Sequence, residues 1–420
     1  MDEEYERKKK IRKICHISSG ENVANCQDLL TKILLPFSAK TLITLKLVSK
    51  QFNYVISDQD FGIQHVRFHH KNRRDLTPTG IFFYSSFSNC SEIYSVSLTR
   101  PQRSIPSLST LEFVGFLLDR QFKIVQACNG LLLCSFDDLS SSSSSSSGSY
   151  ISRLYCVCNP TTYGFTMLPD LAPVKSSSLI KKEGGLSQYV LALAFNPLKT
   201  HVYKVFGVRV VKKVAKKCTC ELIVYSSDEG GRVWRKVGRQ FEIPEKLKTI
   251  CHGLFHDGGK ITWICERGFI HFDVHAEKVL EVTRKPRGSS SWKKTRFFGE
   301  SIDDGRLQVV RLKHRVGVDL FQLRPETLDW ERLRIHAIRP IIGRHQNFAS
   351  SDYRNCQKRD KYQILGVGRE LVIAIPGKVF CYCPVKRESR VLRQMPEQFR
   401  EDFSFDCVSS FQFVETLSPV

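Results

Sequence analysis

From about residue 80 onward the chain reads as short strands separated by turn signals, with no long helical pattern between them. Gly130-Leu-Leu-Leu-Cys134, Tyr189-Val-Leu-Ala-Leu-Ala-Phe195, Glu221-Leu-Ile-Val-Tyr225, Lys260-Ile-Thr-Trp-Ile264 and Leu371-Val-Ile-Ala-Ile375 are strand-like runs. Gly230-Gly231, Asp257-Gly258, Asp304-Gly305 and Pro376-Gly377 punctuate them. Without crossover helices a parallel α/β sheet is disfavoured. So many antiparallel strands, over roughly 340 residues, exceed a sandwich and suit a propeller. Strand groups open near Ile81, Gly130, Val190, Cys251, Phe297 and Tyr362, intervals of about 50 residues that match a blade period. The expectation is a β-propeller of about six blades, seven being the alternative. Phe411-Gln-Phe-Val414 reads as a last strand that pairs into the first blade and closes the ring.

Residues 27–56 carry a different period. Leu29, Leu30, Ile33 and Leu34, then Leu42, Leu45, Val48, Phe52, Val55 and Ile56, fall at steps of three and four. The stripes break near Pro36 and Ser38, Ser38 is placed to cap the second run, and Ser57-Asp58 to end it. A helical unit of about 45 residues has little core of its own. The fold class is therefore α+β: a small helical domain followed by a mainly-β domain.

Composition narrows the functions. The net charge of +22 suits nucleic acid, anionic membrane or acidic protein partners alike. Tight basic clusters occur at 7–13 and 212–217, without the interleaved aromatics that base stacking uses, so nucleic acid is disfavoured and solvated loop charge preferred. No run of about 18 apolar residues suggests a membrane span, and the charged amino terminus does not read as a secretory signal. The expected location is nucleus, cytoplasm or both. The 15 cysteines include no C-x-x-C pair. The pairs Cys156/Cys158, Cys218/Cys220 and Cys381/Cys383 are spaced to share one strand face, as core packing requires. P-loop, dinucleotide and nucleophile-elbow patterns occur only as near-misses and the histidines are dispersed without HExxH spacing, so no catalytic, cofactor or metal residue is assigned.

The helical block resembles an F-box. Asp28-Leu-Leu-Thr-Lys-Ile-Leu-Leu35, Ala39-Lys-Thr-Leu42, Leu45-Lys-Leu-Val-Ser-Lys50 and Ile56-Ser-Asp58 with Phe61 and His65 follow its pattern in order. Cys128-Asn-Gly-Leu-Leu-Leu-Cys134, Asn159-Pro-Thr-Thr162 with Leu168-Pro169, and Ala194-Phe-Asn-Pro197 with Tyr203-Lys-Val205 are similar to the F-box-associated domain of plant F-box proteins. So are Val224-Tyr-Ser-Ser227 with Trp234, Phe272-Asp-Val274, Phe298-Gly-Glu-Ser301 and Val414-Glu-Thr-Leu-Ser-Pro-Val420.

The resemblance implies a division into a basic tail at 1–22, an F-box at 23–68 and a propeller-like domain at 80–420, with a serine-rich loop at 138–149. It also implies a non-catalytic substrate receptor of a Skp–cullin–F-box ubiquitin ligase. The F-box docks on a Skp-type adaptor, which links to a cullin–RING ligase, and the β domain holds an unidentified target protein. Leu29, Leu30, Ile33, Leu34, Lys40, Leu42, Val48 and Phe52 are the adaptor-binding candidates. Four positions depart from the family pattern: Asn25-Cys26 stands for Leu-Pro, Ser38 for a second Pro, and Phe52 for Trp. A weakened adaptor contact is the expected consequence.

Overall fold

The computed structural model describes residues 26–70, 76–87, 90–99, 123–138, 152–171, 189–228, 233–247, 249–284, 295–313, 317–337, 339–345, 362–375, 377–395 and 410–420. The basic cluster at 7–13, Asn25, the serine run at 140–147 and the Gly230-Gly231 turn lie outside them.

Four helices come first: α1 (Gln27–Leu34), α2 (Ala39–Leu45), α3 (Lys50–Ser57) and α4 (Gln59–His69). The second apolar run is thus two helices rather than one. Ser49 Oγ accepts from Phe52 N at 3.1 Å and starts α3 afresh, and a cap of this kind favours a helix start over continuation. Ser38 caps α2 through Thr41 N at 3.2 Å. Asp58 does more than end a run: its Oδ1 accepts from Phe61 N at 2.9 Å and opens α4. Leu30, Leu34, Ala39, Leu42, Val55, Ile56 and Phe61 form the core between the helices, joined by Leu417 from the far end of the chain.

The strands follow as β1 (Gly80–Phe87), β2 (Cys90–Ser97), β3 (Lys123–Cys128), β4 (Leu131–Asp138), β5 (Ser152–Asn159), β6 (Gly164–Met167), β7 (Val190–Ala194) and β8 (Lys204–Val214). Next come β9 (Lys217–Ser226), β10 (Arg235–Pro244), β11 (Ile250–His256), β12 (Lys260–Cys265), β13 (Gly268–Asp273), β14 (Lys278–Arg284), β15 (Thr295–Glu300) and β16 (Leu307–Lys313). The last are β17 (Gly317–Leu323), β18 (Trp330–Ala337), β19 (Gln363–Val367), β20 (Leu371–Ile375), β21 (Lys378–Cys383), β22 (Glu388–Gln394) and β23 (Ser410–Phe413), with helix α5 (Arg339–His345) between β18 and β19. Among the described residues they form six antiparallel sheets: β23-β1-β2, β3 to β6, β7 to β10, β11 to β14, β15 to β18 and β19 to β22. The mainly-β part is a six-bladed propeller.

The ring closes through its two ends, as the final strand signal predicted. Gly80 pairs with Phe413, Phe82 with Phe411 and Phe83 with Ser410, and the rings of Phe82 and Phe413 lie 5.1 Å apart. Neighbouring residues of one strand serve different blade interfaces. Phe82 joins the cluster shared with the second blade, while Ile81 and Phe83 join the cluster shared with the sixth. Because both faces of a blade are covered, its strands are apolar at consecutive positions, as in Leu131-Leu-Leu-Cys134, all fully buried. Two of the three cysteine pairs are wholly part of this packing: Cys156 and Cys158 face the first blade, and Cys218 and Cys220 the large cluster of the second to fourth blades. Of the third, Cys381 is buried but Cys383 is only half-buried.

One blade opening needs correction. The second blade starts at Lys123, not at Gly130, which sits in the β3–β4 turn with φ +98° beside Asn129 at φ 49°. The strand β3 was missed because Lys123 and Gln126 break its apolar pattern. Gln126 is fully buried, yet both ends of its amide are satisfied: Nε2 donates to Leu193 O at 3.0 Å and Oε1 accepts from Leu193 N at 2.7 Å. It stitches β3 to β7 across the blade interface.

Candidate functional site

The eight residues singled out for adaptor binding separate into two groups. Leu30, Leu34 and Leu42 are buried in the helical core. They shape the surface without forming it, because one apolar stripe has to hold the helices together. Phe52 is half-buried against the same core. On the outside are Leu29 and Ile33, four residues apart on one face of α1 and 45% and 49% exposed. Val48 is 64% exposed, and Lys40 is exposed at the start of α2.

Three further exposed apolar residues belong with this description: Phe37, Leu47 and Tyr54. Leu47 lies in the α2–α3 turn, where Leu47 N donates to Thr44 O at 3.1 Å and Val48 N to Leu45 O at 3.0 Å. A continuous helix would have hidden the exposure of Leu47 and Val48; the serine cap at Ser49 was the available signal. Large apolar side chains displayed on so small a helical unit are the kind of surface that a partner covers.

Two histidines hold the α1–α2 connection in place. His65 Nε2 donates to Phe37 O at 2.8 Å, and His69 Nε2 to Leu35 O at 3.0 Å. Burial pushes His65 down to about 4, so its ring is neutral near pH 7, and donation from Nε2 leaves Nδ1 unprotonated. A groove of about 1030 Å³ separates these helices from the first blade, lined by Phe37, Ser38, His65, His69, Thr99 and Glu415. Among the described residues, hydrogen bonds that span the helices and the β domain include Lys40 N to Glu415 Oε1 at 2.7 Å and Arg67 Nε to Leu198 O at 2.8 Å.

Elsewhere among the described residues, one buried polar network stands out. In the fourth blade His256 Nε2 and His271 Nδ1 each lie 2.8 Å from Thr262 Oγ1, and His271 Nε2 lies 2.8 Å from Thr283 Oγ1. His256, Thr262 and His271 are buried, which denies a substrate access to them. Among the described residues, no group of three or more His, Cys, Asp or Glu side chains is placed to hold a metal. Among them too, no helix is long and apolar enough to cross a membrane. The described basic cluster sits on the β8–β9 hairpin, where Lys212, Lys213, Lys216 and Lys217 are exposed. Lys213 is paired with Glu245 at 2.5 Å and Lys217 with Glu242 at 2.6 Å.

Residues 26–64 match the family model of the F-box domain. Over 427 aligned positions the chain is 23% identical to an F-box protein of Arabidopsis thaliana, covering 96% of this chain and 94% of that protein. The chain thus carries an F-box domain and is homologous to a plant F-box protein along nearly its whole length. Among solved structures, TolB from Acinetobacter baumannii aligns with a TM-score of 0.36 and 7% identity, over 79% of this chain and 68% of that one. The β-propeller domain of the Trilobed protease from Pyrococcus furiosus aligns with a TM-score of 0.30 and 11% identity, over 64% and 72%. Likenesses of this size carry no functional argument.

Proposed function

We propose that this protein is the substrate-recognition subunit of a Skp–cullin–F-box ubiquitin ligase. The observation that carries the proposal is an F-box domain whose folded helices leave Leu29, Ile33, Leu47 and Val48 displayed. In this role the F-box presents those side chains to a Skp-type adaptor, and the adaptor connects the chain to a cullin–RING ligase. The propeller, an F-box-associated domain in this reading, holds the target protein. Ubiquitin transfer is promoted by proximity, which raises the effective concentration of target lysines near the charged ubiquitin-conjugating enzyme. The chain itself supplies no catalytic side chain and no cofactor, and it works in the nucleus, the cytoplasm or both.

Two of the departures from the family pattern have a local consequence. Ser38 keeps the helix start that a proline would set, through its bond to Thr41 N. Cys26, at the cap position of α1, makes no side-chain cap bond. Adaptor affinity below that of a family-consensus F-box follows from this reading. Nucleic-acid binding by the basic propeller finds less support, since the ion pairs on the β8–β9 hairpin offset part of its charge. Co-expression with a Skp-type adaptor tests the proposal. A stable co-eluting complex is the expected result. A folded chain that stays free at micromolar concentrations of both partners would refute it.

A further inference from the structure

The last seven residues, 414–420, touch both halves of the molecule. Glu415 accepts a hydrogen bond from the backbone of Lys40 in α2, and Leu417 completes the helical core. The alternate positions go the other way. Thr416 is fully buried, and its carbonyl accepts from Asn159 Nδ2 at 3.1 Å. The carbonyl of Ser418 accepts from the same amide at 2.8 Å, and Val420 packs on the propeller core. A Cβ at Gly130 would stand 2.5 Å from Thr416 Oγ1 and 2.9 Å from the Val414 carbonyl, so the β3–β4 turn admits the tail because residue 130 is glycine. Alternation with period two is how an extended segment serves two surfaces at once.

We propose that this tail is a splint that couples the fold of the F-box to closure of the propeller. Position 417 follows β23, the strand that closes the ring by pairing with β1. Leu417 therefore reaches the helices from a tail that Asn159 and Gly130 hold against the second blade once β23 is in place. An F-box of this size has few buried side chains to spare, so the loss of one loosens all four helices. The helices are fully formed only on a chain whose last residues are present and whose ring is shut. Linkage makes the coupling reciprocal: whatever stabilises the helices also stabilises tail docking. If the adaptor reading above holds, incomplete or open chains are poor adaptor ligands, and the angle between adaptor and target is set by the splint rather than by a loose tether.

Hydrogen exchange on the full-length chain, without adaptor, tests this. Leu417→Ala should speed exchange of the α1 to α4 amides by about ten-fold or more, while leaving the strands β11 to β22 protected. Leu417→Met, which keeps the volume, should restore protection. The decisive variant is Asn159→Ala, which removes the tail's anchor on the propeller. It should also speed the helices more than the blades. No change in the helices in Asn159→Ala, or an equal change in helices and all blades, would reduce the tail to an ordinary core segment and overturn the proposal. Adaptor affinity measured on the same variants separates the two readings. Loss of helix protection in a chain whose wild type binds no adaptor leaves the splint standing and refutes the ligase role alone.

Discussion

The core of the F-box consists of seven side chains from four helices and one from the other end of the chain. In the propeller, by contrast, neighbouring residues of one strand meet different blades, so the interfaces are clusters fed from two sheets, or from three in the case of the second to fourth blades. The helical unit makes its contacts from residues near in sequence, and has too few of them. The propeller has many, but its integrity depends on one pairing between its two ends. A small domain is completed by borrowing side chains, and a ring by joining its ends. Residues 410–420 do both.

The two regions differ most at the ring. Phe413 is buried and packs on Phe82; Phe413→Ala should cost about 3–5 kcal/mol, the range for buried Phe→Ala changes. The expected readout is a large drop in melting temperature with aggregation, since the open edge of β1 becomes available to other chains. A melting temperature within a degree or so of wild type would mean that the ring does not depend on this pairing.

Next in size is the helical core. Leu42 is fully buried, and Leu42→Ala should remove about 2–5 kcal/mol. Here the loss falls first on a small unit, so far-UV helical signal should be lost at a lower temperature than the propeller's transition, which shifts only by as much as the linked tail docking contributes. A single merged transition shifted as a whole would show the two regions to be one cooperative unit.

These two regions were legible in the sequence to different degrees, for physical reasons. Helical period marked the apolar residues of α1, but not which of them face outward. Leu30 and Leu34 are as apolar as Leu29 and Ile33, because one stripe packs and the other is displayed. The α2–α3 break was read through because Leu45, Val48 and Phe52 keep helical spacing across it. In the propeller, turn residues announced the blades well: Asp257 and Gly258 both take positive φ between β11 and β12. The repeat itself was hidden. The innermost strand of four blades carries one extra residue at an equivalent place, and that residue is Val125, Cys251, Arg296 or Leu365. A shared backbone irregularity with no shared side chain leaves no motif to find. The role of Leu417 was illegible, because its partners are more than three hundred residues away.

Acid separates the regions again, by a comparable amount. Burial is the main cause holding His252, His256 and His271 down, to about 4, 3 and 4. The helical unit has His65, at about 4. Each is neutral when folded and takes up a proton on unfolding below its ordinary value of about 6.5. Their contribution is therefore complete above about pH 6.5 and lost as pH falls towards 4. The fourth blade, with three such groups, should lose stability more steeply than the helices between pH 6.5 and 4, by about 1 kcal/mol per pH unit for each histidine. Hydrogen exchange at pH 7 and pH 5, corrected for intrinsic rates, measures it, and equal losses in both regions would contradict the assignment. The smallest effect is expected from Ser38→Ala. It removes the cap on Thr41 N, for about 1 kcal/mol confined to α2. Glu415 continues to hold the Lys40 amide.

In the proposed complex the displayed face of α1, and not its buried one, meets the adaptor. Leu29→Asp with Ile33→Asp places charge on side chains that are about half exposed, so the helices should remain folded by circular dichroism. Titration calorimetry of this double variant against a Skp-type adaptor is the direct measurement. A loss of at least about 2 kcal/mol in binding, the level of an interface hot spot, is predicted. Wild-type affinity in the folded variant would contradict the account.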